Sequence, residues 1–147
     1  MIVYLAGPYS RRAEFVGYAT QLADLGHSVT STWLTCETQT VADDGVTLAG
    51  HPGALAMLAR MDLRDLDESE LVIVFTEPAT VPVRGGYLVE MGYALGRKKR
   101  VVVVGQMRTL FDWAIAVRVF ATWEECREWL RRDTKWERRN HAKPVNR

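Results

Sequence analysis

Two rhythms of apolar residues alternate along this chain. Short β-rich runs occur at Ile2–Ala6, Ser28–Trp33, Leu71–Thr76, Arg100–Gly105 and Val117–Phe120. Leu71–Thr76 and the run built on Val101, Val102, Val103 and Val104 are continuous rather than alternating, which predicts strands buried on both faces. Helical patterns lie between them. Ser10 can N-cap a helix over Arg11–Leu25, and Gly26 suits its C′ position. Gly53–Leu66 and Tyr87–Gly96 read as helices, and Thr109–Ala116 as a short one. The Thr122-Trp123-Glu124-Glu125 capping box opens a last helix to about Arg132. Residues 34–52 are polar, rich in Gly and Thr, and without a period. So long a loop in a compact domain predicts a lid or a substrate-facing segment.

Strands alternating with helices predict an α/β fold, a single doubly wound domain with both faces of its sheet covered. Right-handed crossovers suggest a five-stranded parallel sheet of flavodoxin-like order, 2-1-3-4-5. The expected domain is 1–133, followed by a basic C-terminal tail at 134–147. Ligands of such sheets bind beyond the carboxyl ends of the strands. That rule brings Gly7–Arg12, Trp33 with its loop, and Thr76–Glu90 around one crevice.

Composition narrows the class. A chain of 147 residues with 48% hydrophobic and 25% charged residues suits one globular domain. No apolar run approaches the roughly 20 residues of a membrane span, and residues 1–6 lack the basic flank of a signal peptide. The expected compartment is the cytoplasm, where Cys36 and Cys126 would be free thiols. Charge is uneven. Five Lys/Arg and one Glu give the tail +4, leaving 14 basic and 17 acidic residues elsewhere. A tail of that charge is a solvated terminus or a nucleic-acid contact. The acidic body argues against a nucleic-acid-binding surface.

Candidate chemistry gathers in the predicted crevice. Glu90 is a carboxylate in a helix that is apolar nearly all round, and an unpaired buried charge is costly. Gly85 and Gly86 just before it let a ligand approach the backbone, and the helix start favours the ionised form. An ionised carboxylate held in this way can attack a sugar C1′. An exposed Glu on the helix's one polar edge fits the pattern as well. Asp62 interrupts the stripe Leu55, Leu58, Leu66. It can serve a sugar hydroxyl or a leaving base, or lie beside a solvated acidic turn formed by Asp65, Asp67, Glu68 and Glu70. Gly7-Pro8-Tyr9-Ser10-Arg11-Arg12 offers amides, a hydroxyl and two guanidinium groups to a phosphate, or is an ordinary turn with solvent-facing Arg. Tyr9, Trp33 and Tyr87 can stack on a base or belong to the core. His27, His51 and His141 have no metal-ligand spacing, so no metal is expected. GxxxxGK[ST], GxGxxG, GxSxG and HExxH are all absent.

Three segments in order resemble the nucleoside 2-deoxyribosyltransferase family, especially its phage-encoded branch. They are Ile2-Val-Tyr-Leu-Ala-Gly-Pro8, Met61-Asp62-Leu63 with Leu66, and Gly85-Gly-Tyr-Leu-Val-Glu-Met-Gly-Tyr-Ala-Leu95. The resemblance spans about residues 1–105. It implies a flavodoxin-like fold and a double displacement in which Glu90 attacks C1′ of the sugar. Tyr4 would orient Glu90, and Asp62 would take the place of the family's Asp-Leu aspartate. It also implies no metal or organic cofactor, and a homodimer or higher oligomer whose neighbouring subunit helps close the site. One position departs. Where deoxyribosyltransferases carry a base-reading Asp, this chain has Arg84, as if for an anion. Related nucleotide N-glycoside hydrolases also lack that Asp and hold a 5′-phosphate near the first loop. With Ser10, Arg11 and Arg12, Arg84 shifts the expected substrate towards a nucleoside 5′-monophosphate, with water as acceptor. The alternatives are a non-catalytic nucleotide-binding or sensor module on the same fold, and a nucleic-acid binder acting through the tail.

Overall fold

A computed structural model describes residues 1–35, 52–81, 85–115 and 118–141. Five parallel strands form one sheet: β1 (Ile2–Ala6), β2 (Ser28–Val29), β3 (Leu71–Phe75), β4 (Arg100–Val104) and β5 (Arg118–Phe120). Their order is β2-β1-β3-β4-β5, as the alternation predicts. Among the described residues four helices connect them, α1 (Arg12–Asp24), α2 (Pro52–Glu68), α3 (Gly86–Gly96) and α4 (Leu110–Ile115), and a fifth, α5 (Trp123–His141), follows β5. Every residue of β3 is buried, because this central strand is covered on both faces. At about 1.5–3 kcal/mol for each large aliphatic side chain, the strand contributes heavily to the core.

The register decides which side chains meet. Tyr4 of β1 is level with Val72 of β3. Phe75 lies three residues beyond Val72 and so points to the opposite face. On that opposite face it packs against Phe15 of α1 and Trp123 of α5. Tyr4 instead reaches towards α3 on the other side. One face of the sheet is thus an aromatic core, and the other holds the candidate chemistry.

Several local readings shift. Gly26 closes α1 in a Schellman motif: it sits at φ 83, with Gly26 N bonded to Ala23 O and His27 N to Leu22 O. Ser10 does not cap α1. It is exposed in a tight turn over Tyr9–Arg11, and Arg11 holds the N-cap position without a side-chain cap bond. The second strand stops at Val29 rather than Trp33. Beyond it Ser31 Oγ, not a backbone group, accepts from Leu5 N at 2.7 Å, and Thr32–Leu34 coil into a tight turn. The last helix runs past Arg132 to His141, into the predicted tail, since no Gly or Pro interrupts it before Pro144. Residues 36–51 and 142–147 lie outside the described residues, and with them most of the predicted loop and the end of the tail. Among the described residues no helix is long and apolar enough to cross a membrane.

Candidate active site

Tyr4 and Glu90 are 86 positions apart, yet the Tyr4 hydroxyl donates to Glu90 Oε1 at 2.7 Å. β1 supplies a fully buried ring and α3 supplies the carboxylate. Oε2 has no hydrogen-bond partner among the described residues. Asp62 reaches the same place from α2, near enough for its charge to act on both Tyr4 and Glu90. Its Oδ1 is buried without a hydrogen-bond partner among the described residues. A buried polar atom without a partner is costly.

The electrostatics follow from burial and crowding. Burial pushes the Glu90 carboxyl up to about 7, the Tyr4 hydrogen bond opposes this, and the Asp62 charge adds to it. The expected help from the helix start does not prevail. Glu90 is in the second turn of α3, and the dipole's influence fades within the first. Asp62 is pushed up to about 6, by burial first and then by the charge of Asp65. Burial, then the charges of Glu90 and Asp62, hold the Tyr4 hydroxyl well above its ordinary range. Tyr4 therefore stays a donor. Near neutral pH the two carboxyls are poised between protonated and ionised forms, an arrangement suited to proton transfer and nucleophilic attack.

Asp65 belongs with this group, not with a solvated turn. It is 6% exposed, and its Oδ2 accepts from both Thr32 N and Thr32 Oγ1 at 2.7 Å. It pins the turn after β2 to α2, one helical turn from Asp62. The i, i+3 spacing from Asp62 was the signal available in the sequence. Asp67 and Glu70 do lie at the surface. Asp67 pairs with Arg97 at 2.7 Å, and Glu70 accepts from Ile2 N.

The other predicted residues divide. Trp33 is 4% exposed, donates Nε1 to Leu5 O at 2.9 Å and packs edge-on against Phe15, so its indole forms the wall behind β1. Tyr9 packs on Trp33 with ring centroids 6.2 Å apart. Gly7 is a packing glycine. A Cβ there would lie 2.5 Å from Phe15 Cζ. Pro8 leads into the Tyr9–Arg11 turn. Arg11 is held by Glu14 at 2.6 Å. Arg12 Nε is buried without a hydrogen-bond partner among the described residues. Gly85 and Gly86 are exposed at the start of α3, and a Cβ on either would meet nothing within 4 Å. Tyr87 is buried against the core. Arg84 lies outside the described residues.

A cleft opens at the carboxyl edge of the sheet, lined by Arg11, Thr76, Glu77, Gly105 and Gln106. Tyr4, Asp62 and Glu90 do not line it. Among the described residues no cluster of His, Cys, Asp and Glu could hold a metal ion.

No family model matches the sequence, and no curated protein matches it. Solved structures do match. A 2-deoxyribosyltransferase of Bacillus psychrosaccharolyticus superposes with a TM-score of 0.64 at 17% identity, over 86% of this chain and 90% of that one. The CMP N-glycosidase BcmB of Clostridium botulinum gives a TM-score of 0.56 at 16% identity, over 88% of this chain and 98% of its own. The chain has the fold of these two proteins. At such identities the likeness shows the fold alone.

Proposed function

We propose that this protein cleaves the N-glycosidic bond of a (deoxy)nucleoside or nucleoside 5′-monophosphate, with Glu90 as nucleophile. The Tyr4–Glu90 hydrogen bond carries the reading. It fixes one carboxylate oxygen and leaves the other without a partner among the described residues. The two similar folds, an N-glycosidase and a deoxyribosyltransferase by their names, support the same chemistry.

In the first step Glu90 Oε2 bonds to C1′ as the C1′–N bond breaks, and the bond's electrons leave with the base. Asp62 in its protonated form donates a proton to the base. In the second step water, or the nitrogen of another base, attacks C1′ and frees the Glu90 carboxylate. The attacking group's proton returns to Asp62. This is the double displacement of retaining glycosidases. The open space above Gly85 and Gly86 suits close approach of the substrate. Arg84 and Arg12 are the groups we assign to a 5′-phosphate, which favours the monophosphate with water as acceptor. Exposed Val89, Leu110 and Trp113 would serve a homo-oligomer.

The test is incubation with deoxynucleosides and their 5′-monophosphates, with and without an added free base, followed by chromatography. Base released from monophosphates by wild type and not by Glu90→Ala is the expected result. A new nucleoside formed only with the added base would make the protein a transferase. Equal release by wild type and Glu90→Ala would remove Glu90 from the chemistry. Ligand-dependent stabilisation without any product would leave a nucleotide-binding module.

A further inference from the structure

Thirty residues downstream of the segment that leads towards α3, one side chain fastens that segment. Arg108 Nη1 donates to Glu77 O at 2.7 Å and to Pro78 O at 2.5 Å, and Nη2 donates to Val81 O at 3.3 Å. Among the described residues its guanidinium bonds only these carbonyl oxygens. Arg108 is itself held. Asp112 Oδ2 accepts from Arg108 N and Thr109 N, both at 2.7 Å, and Thr109 Oγ1 accepts from Asp112 N. This is a capping box at the start of α4, and Asp112 is 2% exposed. A second strut runs between the same loops, where Gln106 Oε1 accepts from Ala79 N at 3.3 Å. Tyr87, three residues before Glu90, is buried with its hydroxyl unpartnered among the described residues. Arg108, Asp112 and Glu77 are the charges that act on that hydroxyl.

We propose that Arg108 is a positioning residue for the reaction. It ties the 77–81 segment to the start of α4 and so holds the wall that leads from β3 towards α3, the helix that carries Glu90. The proposal rests on the glycosidase reading, and it adds a residue that touches neither Tyr4, Asp62 nor Glu90. The choice of side chain carries physical content. A planar fork with five donors can span three carbonyls at once, whereas a lysine ammonium acts as a point charge on a flexible stem. A loose wall misplaces substrate without altering the nucleophile.

The test compares wild type with Arg108→Lys and Arg108→Met, by steady-state base release and by hydrogen exchange of the 77–81 amides. Both variants should exchange there roughly tenfold faster, with protection of β3 and α1 unchanged. KM should rise roughly tenfold or more in both, while kcat per folded molecule stays within about threefold. The pH dependence of kcat should not move, since the Tyr4–Glu90 pair is untouched. Recovery of wild-type KM by Arg108→Lys would overturn the proposal, because charge alone would then suffice. Unchanged exchange at 77–81 in an active enzyme would overturn it while leaving the proposed function standing. Faster exchange in a protein whose wild type releases no base would keep the clamp and remove the glycosidase reading.

Discussion

Replacing Tyr4 with Phe removes a single oxygen, the donor to Glu90 Oε1. A hydrogen bond to a charged group is worth about 1.5–3 kcal/mol, which corresponds to roughly one to two pH units in a carboxyl's titration. That bond favours the ionised form, so Glu90 in Tyr4→Phe should titrate one to two units, roughly, above its present midpoint of about 7. Stability must follow. The folded value lies above the ordinary 4.5, so between those pH values the folded state holds more protons than the unfolded one. The contribution is fully present below 4.5 and is lost as pH rises through about 7. Its size is on the order of 3 kcal/mol, less what solvent restores to a half-buried carboxylate. In Tyr4→Phe the loss should continue to higher pH. Carbon-13 titration of labelled glutamate carboxyls, with Glu90→Gln to assign the resonance, reads the midpoint. Urea midpoints from pH 4 to 10 read the stability. A Glu90 midpoint that is unchanged or lower in Tyr4→Phe would refute the claim that the hydroxyl stabilises the ionised carboxylate.

Other outcomes follow from the same packing. Asp62→Asn should lower the Glu90 midpoint, because the Asp62 charge raises it, and should stabilise the fold above pH 6 by removing a carboxyl that burial disfavours when ionised; carboxyl titration and urea melts check both. Gly105→Ala should destabilise by about 1–3 kcal/mol in denaturant titration, since Gly105 sits at φ 114 and its Cβ would lie 2.5 Å from Thr76 Oγ1. Gly7→Ala should cost about 1–3 kcal/mol by overpacking Phe15, and a neutral result would show that the ring swings aside freely. Burial pushes the Cys126 thiol up to about 12, so in Cys36→Ser this remaining thiol should resist a thiol reagent at pH 8 until denaturant is added.

What the chain carries locally, it displays openly. The runs at Ile2–Ala6, Leu71–Thr76 and Arg100–Gly105 are largely apolar because strands covered on both faces admit few polar positions, and their alternation with helices limits the topology to few choices. Gly26 marks the end of α1 because a left-handed residue is needed there. Glu90 stands out as an acid in an apolar helix, and Asp62 as one that interrupts an apolar stripe, for the same local reason. Pairing across space is another matter. Tyr4 lies in a strand whose pattern distinguishes no inward residue, and only the β1–β3 register and the seating of α3 bring its hydroxyl to Glu90. Ser31 and Asp65 end the second strand early by taking over backbone partners, which no β-propensity reveals. Trp33 reads from the sequence as a base-stacking ring or a core ring, and only the turn that folds its indole back onto Leu5 O buries it. The poise of the two carboxyls has the same origin: desolvation and the repulsion of a neighbouring carboxylate, Asp62 for Glu90 and Asp65 for Asp62, depend on distance and burial, and these exist only once the helices are packed on the sheet.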